Sequence, residues 1–228
     1  MTSLKMAIIM LGPPGAGKGT QARLISETFG FAHISTGDML RTAIKEGTEL
    51  GARAKTLLEA GLLVPDELVD AIVRERLQKP DCGRGFILDG YPRTLAQAGT
   101  LQGILDRDGV ISVTVGIKVP DQVLIGRLGA RWVCPNCNRT FSEQLSSGKI
   151  KGLCDRCGVT LMHRADDTEE VVTSRLKVYH EQTEPLIRYY QEQEIFVPID
   201  GDELPAKVFY AIRDVVDEKM NSAPAKKT

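Results

Sequence analysis

Residues 12–20 read Gly-Pro-Pro-Gly-Ala-Gly-Lys-Gly-Thr and follow directly on the apolar run Met6-Ala7-Ile8-Ile9-Met10-Leu11. A short buried strand thus feeds a glycine-rich turn, and Gln21-Ala22-Arg23-Leu24-Ile25 continues in helical rhythm. This is the pattern of a phosphate-cradling loop in a nucleotide-binding α/β protein. Small residues at Gly15, Ala16, Gly17 and Gly19 let successive backbone N–H groups converge on phosphate oxygens, and the helix start adds positive potential. Lys18 supplies an ammonium for the outer phosphates. An ordinary Gly-Pro turn before a helix is the plain alternative, and it leaves the lysine without a reason. The general pattern places Ser or Thr straight after the lysine. Here Gly19 intervenes and the hydroxyl belongs to Thr20, so magnesium ligation by that hydroxyl does not follow from the motif.

Further apolar bursts recur at Phe31–Ile34, Phe86–Leu88, Val113–Val119 and Ile195–Ile199, each short and bounded by Gly, Pro or Asp. Segments of helical period separate them, among them Glu67–Leu77 and Glu169–Tyr190. Strands alternating with helices predict a parallel sheet covered on both faces, with the methionines of the first strand in the core. At 228 residues the chain is long enough for one α/β core with insertions. Net charge is −1, so no global basic field draws it to nucleic acid or to an anionic membrane. Apolar runs are too short to span a membrane, and Met1-Thr2-Ser3-Leu4-Lys5 has no leader character, so a cytoplasmic setting is expected.

Two stretches break the layered rhythm. From Ser35 to Val64 the sequence predicts a mostly helical insert, with Gly37, Gly47, Gly51 and Gly61 as joints. From Trp132 to His163 the α/β pattern disappears, and four of the five cysteines lie there. Cys134-Pro-Asn-Cys137 and Cys154-Asp-Arg-Cys157 are separated by sixteen residues, the spacing of a tetrahedral four-cysteine zinc site. Asn138 and Gly158 follow as turn formers that can direct N–H groups at sulfur. Disulfides are the alternative, which an intracellular composition disfavours. Four thiolates leave no place for a reacting water, so the expected role is structural. Phe141, Leu145, Ile150, Leu153 and Leu161 are too thin a core to order the stretch alone. Zinc supplies about 10–16 kcal/mol in small peptides, enough to decide that balance. Cys82 stands apart as a plain thiol. Residues 221–228 read as a frayed tail.

With these segments in place the chain resembles the adenylate kinase family, in its long-lid, zinc-carrying form. The resemblance runs from the first strand to about Val216. It rests on ordered motifs: GPPGAGKGT at 12–20, STGDMLR at 35–41, DGYPRT at 89–94, GARW at 129–132, the cysteine knuckles, and HRADD at 163–167. It implies reversible transfer of a phosphoryl group from ATP to AMP, giving two ADP, with magnesium. It also implies a P-loop, three-layer α/β fold with a five-stranded parallel sheet of order 2-3-1-4-5. The core would comprise residues 1–34, 65–131 and 165–220. Residues 35–64 become the monophosphate-binding insert, 132–164 the zinc-bearing lid, and a monomer is expected.

Residue by residue, the resemblance implies that Thr36, Arg41, the backbone of Leu62, Leu63 and Val64, the turn Gly90-Tyr91-Pro92-Arg93, and Gln97 hold AMP. The loop from Gly15 to Thr20 and Arg131 would hold ATP phosphates. Thr140, Phe141 and the backbone near Glu203 would flank its adenine, and Arg127 would close on it. Arg164 and Arg175 would grip the moving group, Asp89 would orient hydrated magnesium, and Asp166 and Asp167 would form a lid hinge. Tyr91 (often Phe), Trp132 and Glu203 (Lys is also found) are departures from commoner relatives, and Trp132 has no account at this level.

Phosphoryl transfer needs alignment and charge more than covalent chemistry. Lys18, Arg93, Arg131, Arg164 and Arg175 can meet the charge spread over the equatorial oxygens. Arg127 and Arg131, four apart, are expected on one helix face. The three histidines, His33, His163 and His180, read as packing or surface. Thr36 and Gln97 favour AMP over UMP, CMP or another monophosphate, because Gln97 can both donate to and accept from an adenine edge. GTP as donor, a zinc-ribbon nucleic-acid module powered by the loop, and a nucleotide sensor without turnover are the competing readings. Low basic charge argues against the second and the full arginine set against the third.

Overall fold

The computed structural model describes residues 5–142 and 152–222. Strand β1 (Met6–Leu11) is buried along its whole length. It lies between β3 (Gly85–Asp89) and β4 (Ile111–Lys118) and pairs parallel with both. β2 (Ala32–Ser35) flanks β3. The eighth strand in chain order, β8 (Phe196–Asp200), flanks β4. The order β2-β3-β1-β4-β8 is the expected 2-3-1-4-5 when core strands alone are counted.

Alternate side chains of β1 feed opposite faces, as the two-residue period of a strand requires. Ala7, Ile9 and Leu11 pack with Val69 and Val73 of α4 (Asp66–Leu77), Leu101 and Leu105 of α5 (Leu95–Asp108), and Leu186 of α8 (Pro185–Glu192). Met6, Ile8 and Met10 pack instead with Ile25 of α1 (Lys18–Phe29), Leu124 and Leu128 of α6 (Asp121–Gly129), Leu176 of α7 (Glu169–Val178) and Ile212 of α9 (Pro205–Ser222). Three layers result. Every position of β1 is then apolar, because both faces of a central strand need covering.

The insert is a pair of helices, α2 (Thr36–Lys45) and α3 (Glu49–Glu59). Gly47 and Gly61 take positive φ (68° and 72°) in turns, as joints should. Gly37 and Gly51 correct the expectation, since both lie inside helices. Gly51 marks the crossing of α2 and α3, where a Cβ would fall into the Ala43 carbonyl.

A second, antiparallel sheet has β5 (Arg131–Val133) between β6 (Thr140–Ser142) and β7 (Met162–His163). It follows that Arg127 and Arg131 do not share a helix face: α6 stops at Gly129, and Arg131 opens a strand. Trp132 sits at the middle of this sheet, paired with Phe141 on one side and His163 on the other. Its ring lies 3.8 Å from that of His163, centroid to centroid. Leu145 and Ile150 lie outside the described residues, as do residues 223–228. Asn221 and Ser222, read as tail, end α9.

The segment of helical period over Glu169–Tyr190 is helical but not one continuous α-helix. Between α7 and α8 the chain makes a π-turn over Tyr179–Thr183, where the Glu184 N–H reaches back to the Tyr179 carbonyl at 2.8 Å. Pro185 has no N–H to continue the ordinary ladder. The wider turn keeps Tyr179 and Thr183 buried, and the Thr183 hydroxyl donates to the Arg93 carbonyl at 2.9 Å.

Candidate active site: a ring of cations around the glycine-rich turn

The turn leaves β1 through Gly12, whose φ of 146° and close approach to the Ile117 carbonyl exclude a side chain. Gly15 and Gly17 are also at positive φ, and Gly17 caps α1. Ala16 is buried. Lys18 curls over the turn, its Nζ donating to the carbonyls of Gly12 at 2.6 Å and Pro13 at 2.7 Å. Desolvation pulls this ammonium down to about 7, against the carboxylate of Asp89. Thr20 is exposed on the first turn of α1. Gly19 has a reason the sequence did not supply: a Cβ there would stand 3.1 Å from an Asp89 carboxylate oxygen.

Asp89 closes β3 beside Met10 and Ser35. His33, read as packing, places Nε2 3.4 Å from the Asp89 carboxylate. Burial alone would raise the Asp89 carboxyl. The His33 hydrogen bond and the charges of Lys18 and Arg93 outweigh it and hold the group below the usual carboxylate range. An ionised carboxylate at the mouth of a phosphate loop suits a hard cation such as hydrated magnesium.

Arg41, Arg93, Arg131, Arg164 and Arg175 come from the insert, the β3–α5 turn, the second sheet, its return turn and α7. They converge closely enough to act on one another. Burial, reinforced by Arg175 and Arg41, brings Arg93 down to about 10. Burial, reinforced by Arg41 and Arg131, does the same to Arg164. Arg175 is also lowered, chiefly by burial. Carboxylates offset part of this charge. Asp38 accepts from Arg41 at 2.6 Å, and Asp167 accepts from Arg131 Nε at 2.7 Å and from Arg175 at 2.9 Å. Asp166 lies 3.3 Å from Arg175 and, despite burial, stays depressed under the surrounding guanidinium charges. Arg93 and Arg164 have no carboxylate partner within ion-pairing reach among the described residues. Such a cluster has the charge and the donors to receive an anion.

Gly61, Leu63, Gly90, Pro92, Arg93, Arg175, Tyr179 and Thr183 share one cleft with Gly12, Pro14 and Lys18. Leu62 is exposed and Val64 buried on either side of Leu63. Thr36 is buried and donates to the Gly90 carbonyl at 2.8 Å. Tyr91 points into the core, where its hydroxyl donates to Asp70 at 2.6 Å, an anchor that a phenylalanine would lack. Gln97 is buried with its amide fully oriented between Arg93 and Asp66.

A second group stands apart from the arginine ring. Arg127 donates to the Gly201 carbonyl at 2.9 Å and meets Asp202 at 3.2 Å, next to Glu203, whose carboxylate is paired with Lys207. Thr140 and Phe141 lie on β6, at the far side of β5 from His163.

The four cysteines Cys134, Cys137, Cys154 and Cys157 bring their sulfurs within 4.8 Å of one another. Asn138 (φ 55°) and Gly158 (φ 67°) form matching turns, their N–H groups bonding to the Cys134 and Cys154 carbonyls. Burial would raise the Cys134 thiol, but the N–H groups of Cys137 and Asn136 help pull it down to about 7. The donor set, its closure and its spacing fit a structural zinc. Cys82 is buried against Arg76, away from this cluster.

Comparison with known proteins agrees with this geometry. The family model described as adenylate kinase matches residues 10–195. An adenylate kinase of Agathobacter rectalis is 47% identical over 214 residues, covering 93% of this chain and all of that protein. One of Rhizobium rhizogenes is 50% identical over 86% of this chain and 92% of its own length. One of Moorella thermoacetica is 48% identical over 91% and 96%.

Proposed function

The chain belongs to the adenylate kinase family, whose reaction is ATP + AMP ⇌ 2 ADP, and from that premise we propose how its own residues carry the exchange. The observation that carries the reading is the convergence of Lys18, Arg93 and Arg175 on one cleft beside the glycine-rich turn, with Arg41, Arg131 and Arg164 close enough to one another and to this group to interact by charge. A polyanion bound there relieves the mutual repulsion of the guanidinium groups, which stay charged throughout, and draws Lys18, lowered to about 7, fully into its charged form. In the transition state the charge on the moving group is largest, so the same contacts bind it tightest.

The backbone from Gly15 to Thr20 holds the ATP phosphates, with Lys18 turning from the Gly12 and Pro13 carbonyls onto the outer phosphates. Arg131 and Arg127 clamp the ATP side. Phe141, Thr140 and the backbone at Glu203 flank its base. Arg41, Arg93, Thr36 and Gln97 hold AMP, and the backbone of Leu62, Leu63 and Val64 borders it. Arg164 and Arg175 bridge the two phosphates, and an AMP phosphate oxygen is the nucleophile. Asp89 is the residue for hydrated magnesium, which when bound neutralises and orients the ATP phosphates. Zinc in the four-cysteine site holds the lid's shape and takes no part in chemistry.

Thr36 and Gln97 are 2% and 1% exposed, so AMP enters only when residues 35–64 lift. Residues 132–164 act as the second flap, with Ala165–Asp167 as its hinge turn. Both flaps shut to exclude water, which would otherwise take the phosphoryl group. No helix among the described residues is long and apolar enough to cross a membrane. A cytoplasmic monomer with no nucleic-acid partner completes the proposal.

The test is quantified ADP formation from ATP, AMP and magnesium, with UMP, CMP and GTP as alternative substrates. Failure to use AMP refutes the assignment. Retention on DNA or RNA at moderate salt without kinase activity would favour a binding module instead.

A further inference from the structure

We propose that Asp66 sets the base preference of the monophosphate site by fixing which way round the Gln97 amide sits. It is a positioning residue: it acts through Gln97. The inference rests on the reading that Gln97 faces the AMP base.

Three hydrogen bonds define the arrangement. The Arg93 backbone N–H donates to Gln97 Oε1 at 2.8 Å. Gln97 Nε2 donates to Asp66 Oδ1 at 2.7 Å, and the Thr94 hydroxyl donates to the other oxygen, Oδ2, at 2.7 Å. A backbone N–H can only donate and an ionised carboxylate can only accept. Turning the amide over would set its NH2 against the Arg93 N–H and its oxygen against Asp66. Both contacts would then be repulsive in a buried place, where unmet polar groups are most costly. Gln97 therefore has one orientation.

A primary amide has two acceptor positions and two donor hydrogens. Arg93 and Asp66 use one of each, and one acceptor and one donor remain. Adenine presents an N6–H donor beside the N1 acceptor, which those two can meet. Hypoxanthine and guanine in the same pose present the O6 acceptor beside an N1–H donor, the reverse polarity. A free glutamine would simply turn over and serve either class. A pinned one accepts adenine and rejects 6-oxopurines, because the mismatch leaves polar groups facing their own kind.

The pinning is itself braced. Asp66 and Asp70 lie one turn apart on α4, on one face of that helix. Asp70 accepts from the Tyr91 hydroxyl at 2.6 Å. Thr94 also caps α5, accepting from the Gln97 N–H at 3.2 Å. The two acids thus grip the segment from Tyr91 to Gln97 at both ends.

The experiment compares kcat/KM for AMP and for inosine monophosphate, with ATP as donor, in the wild type, Asp66→Ala, Asp66→Asn and Gln97→Ala. The ratio of the two values within one preparation is independent of the folded fraction, so partial unfolding does not mimic the effect. Asp66→Ala is expected to lower the AMP preference by about tenfold or more, the size of one hydrogen-bond mismatch. The change should lie mainly in KM, rising for AMP and falling for inosine monophosphate. Asp66→Asn should keep the preference. Its Oδ1 still accepts from Gln97, and its NH2 can donate to a Thr94 hydroxyl that turns to accept. If Asp66→Ala lowers both substrates by one factor while Gln97→Ala abolishes the preference, Asp66 is merely structural and the proposal fails. If Gln97→Ala itself keeps the full preference, Gln97 does not read the base and the parent reading fails.

Discussion

Arg131 Nε lies 2.7 Å from the Asp167 carboxylate, which ties the first strand of the second sheet to the turn by which the chain leaves it. Asp167 is nearly inaccessible, with 3% of its side chain exposed, and it also holds Arg175 at 2.9 Å. One carboxylate thus occupies two guanidinium groups assigned to phosphate. Removing one partner of such a buried arrangement costs about 3–5 kcal/mol, because the remaining charges are left unpaired. Asp167→Ala should therefore melt several degrees lower without ligand. Its loss should be largely recovered by an added polyanion such as pyrophosphate, which takes over both arginines. Thermal melts with and without pyrophosphate check this. Equal stabilisation of wild type and variant by the anion would count against it.

Arg93 makes its own contacts without a carboxylate, donating Nε to the Gly90 carbonyl at 2.8 Å. Its charge is therefore available to the substrate. Arg93→Ala should reduce kcat by about 10²–10³, the usual size for losing one preorganised charge contact in a dry site. Stability should change little, because a buried cation is being removed rather than stranded. Arg93→Lys should recover only part of the rate, since a point charge cannot reproduce the planar fork. Wild-type turnover in the alanine variant would remove Arg93 from the mechanism.

The glycine-rich loop was legible because its evidence is local: strand, turn and helix lie within one short run, and the phosphate chemistry dictates the residue types. The sheet order came with the resemblance, since strand pairing over long separations leaves no local trace. What escaped was decided by tertiary packing. Arg131 followed a helix and looked helical, but a helix ending at Gly129 and pairing with β6 made it a strand residue. Gly51 looked like a joint because glycine breaks helices, whereas the crossing helix required its missing side chain. His33 and Asp66 are unremarkable in sequence, and only their partners Asp89 and Gln97 give them a role. The signal for Asp66 would have been its pairing with Gln97 across some thirty residues, which one sequence does not reveal.

Gly51 offers a direct check on the insert. A methyl group there would be driven into the Ala43 and Ile44 backbone of the crossing helix, which cannot rotate away as a side chain can. Gly51→Ala should destabilise the insert by about 1–3 kcal/mol, the range for overpacking, despite the better helix propensity of alanine. Hydrogen exchange should quicken in residues 36–59 and stay unchanged in β1 and β4. A rise in overall stability would show that α2 and α3 do not pack as closely as described.

The four-cysteine site predicts two separable transitions. Its stretch has few apolar side chains, so on the proposed reading metal ligation offsets the entropy of ordering it. Stripping zinc with a strong chelator should unfold the second sheet first and expose Trp132, shifting its fluorescence, while the far-ultraviolet signal of the core sheet persists to higher temperature. Replacing Cys154 by Ser should have the same effect without chelator. An unchanged melt, with zinc shown to be absent by elemental analysis, would rule out a structural metal.

His180 links the π-turn to two helices, with Nδ1 2.8 Å from Glu184 and Nε2 2.9 Å from Asp121. Both partners are acceptors, so both ring nitrogens must carry hydrogens and the imidazolium is favoured. The hydrogen bonds it donates to Glu184 and then to Asp121 raise its pKa above the ordinary value of 6.5. A raised folded-state pKa means that the native chain binds the proton more tightly than the unfolded one, so stability falls as pH rises between the two values. The contribution is fully present below the unfolded pKa and disappears as pH passes the folded one. All three side chains are nearly half exposed, so solvent screening holds the gain to about 1 kcal/mol or less. Melting the wild type and His180→Gln from pH 6 upward should show the wild-type advantage shrinking with pH and fading in high salt. A difference that stays constant across that range would mean the histidine contributes packing alone.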